Sequence, residues 1–114
     1  MNEPYLRRAE WLTQLGPKFW NRPKPGQTDI SLFVGRLPLE TMLYIVGGPG
    51  RRQRKRDAVR YARVSCLLDE GFHLVEDDDL VNGGRHVRVQ VQGIWSDEQS
   101  RRFDSCFEDP EGGR

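Results

Sequence analysis

Arg51, Arg52, Arg54, Lys55, Arg56, Arg60 and Arg63 put seven cations into thirteen consecutive positions. Guanidinium groups pair bidentately with phosphates, and several such contacts together give strong, salt-sensitive binding to a polyanion. Read at 100° per residue, Arg52, Arg56, Arg60 and Arg63 fall on one stripe, and Ala58, Tyr61, Ala62, Val64, Ser65, Cys66 and Leu68 cover the other side. A helix of that kind buries its apolar side and offers its arginines to an anionic partner. The competing reading is a solvated face, or one that pairs with the protein's own acids.

Other candidate chemistry is thinner. Gly47-Gly48-Pro49-Gly50-Arg51-Arg52 follows an apolar run and has the look of a phosphate cradle at a helix start. It lacks the Lys-Ser/Thr of a P-loop, and its proline removes a donor, so a plain turn fits better. The acids Glu76, Asp77, Asp78 and Asp79 lack the alternating ligands and distal glutamate of a calcium loop, and read as a solvated hairpin that blunts a sheet edge. His73 and His86 lie on segments that can pair, with no third ligand evident, so no metal and no cofactor is expected. GxSxG and HExxH signatures are absent and the reading is non-enzymatic. Cys66 and Cys106, 40 apart and outside any zinc spacing, read as buried free thiols.

The elements that must position these residues follow from pattern. Asn2 can cap a first helix on which Tyr5, Ala9, Leu12 and Leu15 share a face, ending at Gly16-Pro17. Residues 17–28 hold three prolines and a glycine and read as an extended connector anchored by Phe19 and Trp20; its Asn21-Arg22-Pro23-Lys24-Pro25-Gly26 faintly suggests a minor-groove segment. Ile30, Leu32 and Val34 alternate as a strand does. Residues 39–46, LETMLYIV, suit a helix or a strand equally. The long basic helix is expected to start between Gly50 and Arg54 and to run to Glu70, stopped by Gly71. Residues 72–81 and 85–92 form a hairpin around Asn82-Gly83-Gly84, with Val87, Val89 and Val91 on one face and a bulge expected in the acidic run. Ser96-Asp97-Glu98-Gln99 is a capping box opening a last helix with Phe103, Cys106 and Phe107 on one side. Trp11, Trp20, Trp95, Phe103 and Phe107 are assigned to the core, with stacking on bases the lesser reading.

Residues 1–107 are expected to form one small α+β domain and residues 108–114 a disordered acidic tail. Residues 1–66 hold 13 Lys/Arg against 5 Asp/Glu and residues 67–114 hold 5 against 12, so halves of +8 and −7 hide behind a net charge of +1. Such segregation suits a basic nucleic-acid face with an acidic back, halves that neutralise each other on folding, or head-to-tail self-association. No segment has transmembrane length or signal-peptide character, so a cytoplasmic protein with no membrane partner is expected.

Residues 58–92, with the ending Leu67-Leu68-Asp69-Glu70-Gly71-Phe72 and the charged tip Asn82-Gly83-Gly84-Arg85, resemble the recognition-helix-plus-wing half of winged-helix DNA-binding domains. That resemblance implies that Arg52, Arg56, Arg60 and Arg63 face DNA and that Arg85 and Arg88 touch its backbone from the wing. The expected fold is therefore α+β with an N-terminal helix, short strands, a long central basic helix, a β-hairpin and a C-terminal helix in winged-helix-like order. A strand–helix–hairpin sheet with the helix on one face remains the alternative. The expected function is nucleic-acid binding, DNA ahead of RNA, in regulation such as transcription, through Arg51, Arg52, Arg54, Lys55, Arg56, Arg60, Arg63, Arg85 and Arg88. The rival is a charge-segregated protein-interaction module, an inhibitor or adaptor of the sort mobile elements encode. A homodimer is compatible with either.

Overall fold

The computed structural model describes residues 10–15, 29–54, 57–109 and 111–112. An antiparallel sheet in the order β4-β5-β2-β1-β3-β6 dominates it. The strands are β1 (Trp11–Leu15), β2 (Asp29–Val34), β3 (Ala58–Arg63), β4 (His73–Val81), β5 (Gly84–Gln90) and β6 (Glu111–Gly112). Three short helices accompany them: α1 (Leu39–Gly47), α2 (Val64–Asp69) and α3 (Asp97–Ser105). No described helix is long and apolar enough to cross a membrane.

Both central faces of the sheet are covered. Leu12, Leu32, Ala62, Val87 and Val89 pack with Val64 and Leu67 of α2 and Phe103 of α3. Leu15, Phe33, Val59 and Tyr61 pack with Met42, Leu43 and Ile45 of α1 on the opposite side. Ile30 and Leu32 bury on one side of β2 and Phe33 on the other, which leaves Ser31 as the exposed polar position within it. Residues 39–46 resolve as helix, because Met42, Leu43 and Ile45 then share the face laid on the sheet.

The long central helix does not exist. Ala58–Arg63 is instead an inner strand, paired with β1 from Trp11↔Arg63 to Leu15↔Val59, and only Val64–Asp69 turns helical. In a strand, neighbouring side chains take opposite faces, so Val59 and Tyr61 reach the α1 layer while Ala62 admits the α2–α3 layer. The winged-helix-like order of elements is replaced by this sheet. The expected N-terminal helix is corrected too: Leu12 and Leu15, three apart, lie on opposite faces of β1. Asn2, Tyr5, Ala9 and the connector 17–28 lie outside the described residues.

The hairpin is present, and Asn82 (φ 47°) and Gly83 (φ 85°) supply the positive angles of its turn. Its register shifts between Glu76 and Leu80, in the acidic run of the edge strand. Ser96 and Gln99 form the reciprocal capping box of α3. Cys66 and Cys106 are not free thiols but a disulfide that ties α2 to the end of α3. Beyond it, Phe107 bridges Ala62, the Glu108 N–H donates to the Tyr61 carbonyl, and β6 pairs with Ala58 and Val59, so Phe107, Glu108 and β6 border β3.

Candidate functional site

Gly47 ends α1, so the glycine-rich stretch sits at a helix C-terminus, the wrong pole for a phosphate cradle. The chain then enters a cationic loop organised by Asp57. This carboxylate, 7% exposed, accepts the Arg54 N–H at 2.7 Å and both terminal nitrogens of Arg51 at 3.1 and 3.3 Å. The Arg51 stem lies against Gly47, where a Cβ would come within 2.6 Å of its Cγ, and Arg51 also reaches the Arg52 carbonyl. Burial works to raise the Asp57 pKa, but the Arg54 N–H and the Arg51 guanidinium outweigh it and hold the carboxyl below its ordinary value. Arg51 is thus an anchor. Arg52, Gln53 and Arg54 are exposed, and among the described residues no carboxylate pairs with Arg52 or Arg54. Lys55 and Arg56 lie outside the described residues.

The remaining predicted cations scatter. Arg60 and Arg63, aligned on a helix, fall on opposite faces of β3. Arg60 is drawn into the molecule: it donates to Asp104 Oδ1 at 3.2 Å and to the Glu108 carbonyl at 3.1 Å, and lies over the Phe107 ring. Burial raises the Asp104 pKa in spite of that arginine. Arg85 binds both carboxylate oxygens of Glu76 at 3.0 and 3.1 Å. Arg88 lies 3.1 Å from Asp77 and 3.7 Å from Asp29, and Asp77 also takes a short hydrogen bond from His86. That bond is the leading reason the Asp77 pKa is lowered. The acidic run is therefore partly spent on the neighbouring strand β5. His73 pairs across to Gln90 and His86 to Phe33, so the two histidines do not converge.

Arg63 stays exposed, its guanidinium 4.8 Å from the centroid of Trp11, directly across the β1–β3 pair. On the same ring system lies a cation that pattern reading passed over. Arg36 sits 4.5 Å from the Trp11 centroid and 4.1 Å from that of Tyr61, with one nitrogen 3.0 Å from Glu108. Nothing in the chain around Arg36 signals this, because its neighbours in the cluster come from β1 and β3. Trp11, expected in the core, is half-buried at this cluster.

No family model, curated protein or solved structure matches the chain.

Among the described residues no three His, Cys, Asp or Glu converge on a point where a metal would sit. A slot of about 50 Å³ under α1, lined by Leu15, Ser31, Phe33, Met42 and Val46, is a third of what admits benzene. A polar cleft of about 310 Å³ lies between the turn that follows α2 and the helix α3, where Arg102 is turned onto the carbonyl and carboxylate of Glu70. What the structure presents outward is a pinned cationic loop and an aromatic–arginine cluster.

Proposed function

We propose that the protein is a non-enzymatic binding module whose exposed Arg52 and Arg54, beside the Asp57 clamp, engage the phosphates of a nucleic acid. The observation that supports this most is the Asp57 clamp. It commits one arginine to holding the chain, while Arg52 and Arg54 are exposed and, among the described residues, neither side chain forms a close ion pair, although the Arg54 charge also acts on Asp57. A pre-shaped cationic loop loses less conformational freedom on binding than a mobile one. It also replaces the helical stripe as the carrier of the function.

The test is a gel-shift series on a DNA oligonucleotide at several salt concentrations, comparing the protein with its Arg52→Gln/Arg54→Gln variant. Removing two phosphate contacts should flatten the salt slope by roughly 1.5 to 2 and weaken binding at low salt. Equal affinity and equal slope would sink the reading.

A protein partner is the second reading, favoured by Tyr44 and Val46, which leave α1 with apolar side chains 49% and 40% exposed just ahead of the loop. A stoichiometric protein retained from nuclease-treated extract, together with no oligonucleotide binding, would favour it.

A further inference from the structure

The cluster at the far end of β1 and β3 carries a more specific reading of the ligand. Trp11 and Arg63 are direct cross-strand partners on the α1 side of the sheet, and Tyr61 is the next residue of β3 on that side. Trp11 and Tyr61 meet edge to face, with centroids 6.3 Å apart. The turn after β2 then delivers Arg36. Gly35 takes φ 105°, which a side chain would strain, and its N–H donates to the Trp11 carbonyl, so the chain doubles back beside β1 and lays the next residue over both rings. Two guanidiniums are thus held against one half-buried indole, and both remain solvent-exposed.

Their chemistry is that of a stacking platform. A guanidinium plane already resting on an aromatic ring is pre-ordered. Arg36 is held by Glu108 as well as by the rings, and beside it the exposed Arg63 offers its outer surface and N–H edges to a flat heterocycle and an adjacent phosphate. Paired bases in a duplex present their edges in grooves and keep their faces stacked inside, whereas unpaired bases expose a face. A carboxylate ligand alone would need the cations but not the rings. We infer that Trp11, Arg36 and Arg63 form a binding site for an unpaired nucleobase and its phosphate, making single-stranded nucleic acid the preferred ligand. This rests on the reading of the cationic loop as a phosphate contact, and adds a second, independent point of attachment.

The experiment measures affinity for a single-stranded thymidine oligonucleotide of about 12 residues and for a duplex of the same length. Three proteins are compared: wild type, Arg36→Gln/Arg63→Gln and Arg52→Gln/Arg54→Gln, each checked for an unchanged circular dichroism spectrum. Wild type should prefer the single strand. The Arg36/Arg63 variant should lose about tenfold on the single strand, the equivalent of one stacked base, with a smaller loss on the duplex. The loop variant should weaken on both without a change of preference. In a Trp20→Phe/Trp95→Phe background, where Trp11 is the sole indole, the single strand should quench fluorescence. An Arg36/Arg63 variant that binds the single strand as wild type does, or an indole that does not respond, overturns the platform and leaves the loop reading standing. A wild-type protein that binds neither form overturns both.

Discussion

Asp57 shows how one carboxylate can set the shape of a surface. Its side chain closes the loop by taking a backbone N–H from Arg54 and the fork of Arg51, and its own N–H donates to the Arg54 carbonyl. Asparagine would keep one acceptor oxygen but lose the charge, so Asp57→Asn should destabilise the protein by about 1–3 kcal/mol at neutral pH. The pH dependence has a fixed sign. The folded-state pKa lies below the ordinary 3.8, so the clamp's contribution is fully present above that value and is lost as pH falls through the lower, folded one. Urea midpoints of wild type and Asp57→Asn should differ by a constant amount from neutral pH to about pH 5 and converge in more acid solution. A gap that persists unchanged at pH 2 would show that the carboxylate's charge is not what holds the loop. Asp77 adds the same sign of dependence through its bond to His86.

Among the elements, β3 is where sequence and structure part, and the reason is physical. The stretch from Ala58 to Asp69 satisfies a helical period, and Ala and Arg favour helices locally, so propensity and periodicity agree on the wrong answer. What overrides them is tertiary: β3 gains a hydrogen-bonded neighbour in β1 and burial on both sides, which an isolated amphipathic helix cannot match. The hairpin and α3 were legible because their signals are local, a positive-φ turn and a capping box. The Arg36 cluster was not, since three segments far apart in sequence build it. Gly84 illustrates a constraint that only packing reveals. A Cβ there would fall 2.8 Å from Ile45 Cδ1, because α1 crosses the sheet against the first residue of β5. Gly84→Ala should therefore cost about 1–3 kcal/mol by overpacking, and Ile45→Val in the same chain should recover part of it. Urea unfolding of both variants reads this directly; additive losses in the double variant would mean that the two residues do not touch.

Across the whole molecule, the opposed charges of the two halves meet in part inside the fold. Arg36 with Glu108, Arg60 with Asp104 and Arg88 with Asp29 each join a cation and a carboxylate from different halves. The charge count made this visible as one of three outcomes; only the topology says which residues are paired and which, such as Arg52 and Arg54, stand exposed with no close ion pair among the described residues. The same topology explains why the cysteines were misread. Forty residues of sequence separate them, yet α2 leaves β3 and α3 returns along the same layer, which brings their Cα atoms to 5.7 Å. A bridge over that span restricts the unfolded chain by roughly 3–4 kcal/mol on a loop-entropy basis. The borders of β3 depend on it most, since Phe107, Glu108 and β6 follow Cys106 directly. Treatment with a dithiol reductant, or the Cys66→Ala/Cys106→Ala variant, should lower the urea midpoint by an amount consistent with that loss. Hydrogen exchange should quicken first at the amides of Glu108 and β6 and last in β1 and β2, which have strands on both sides. Identical midpoints and exchange with and without reductant would show that the two sulfurs are not joined in solution.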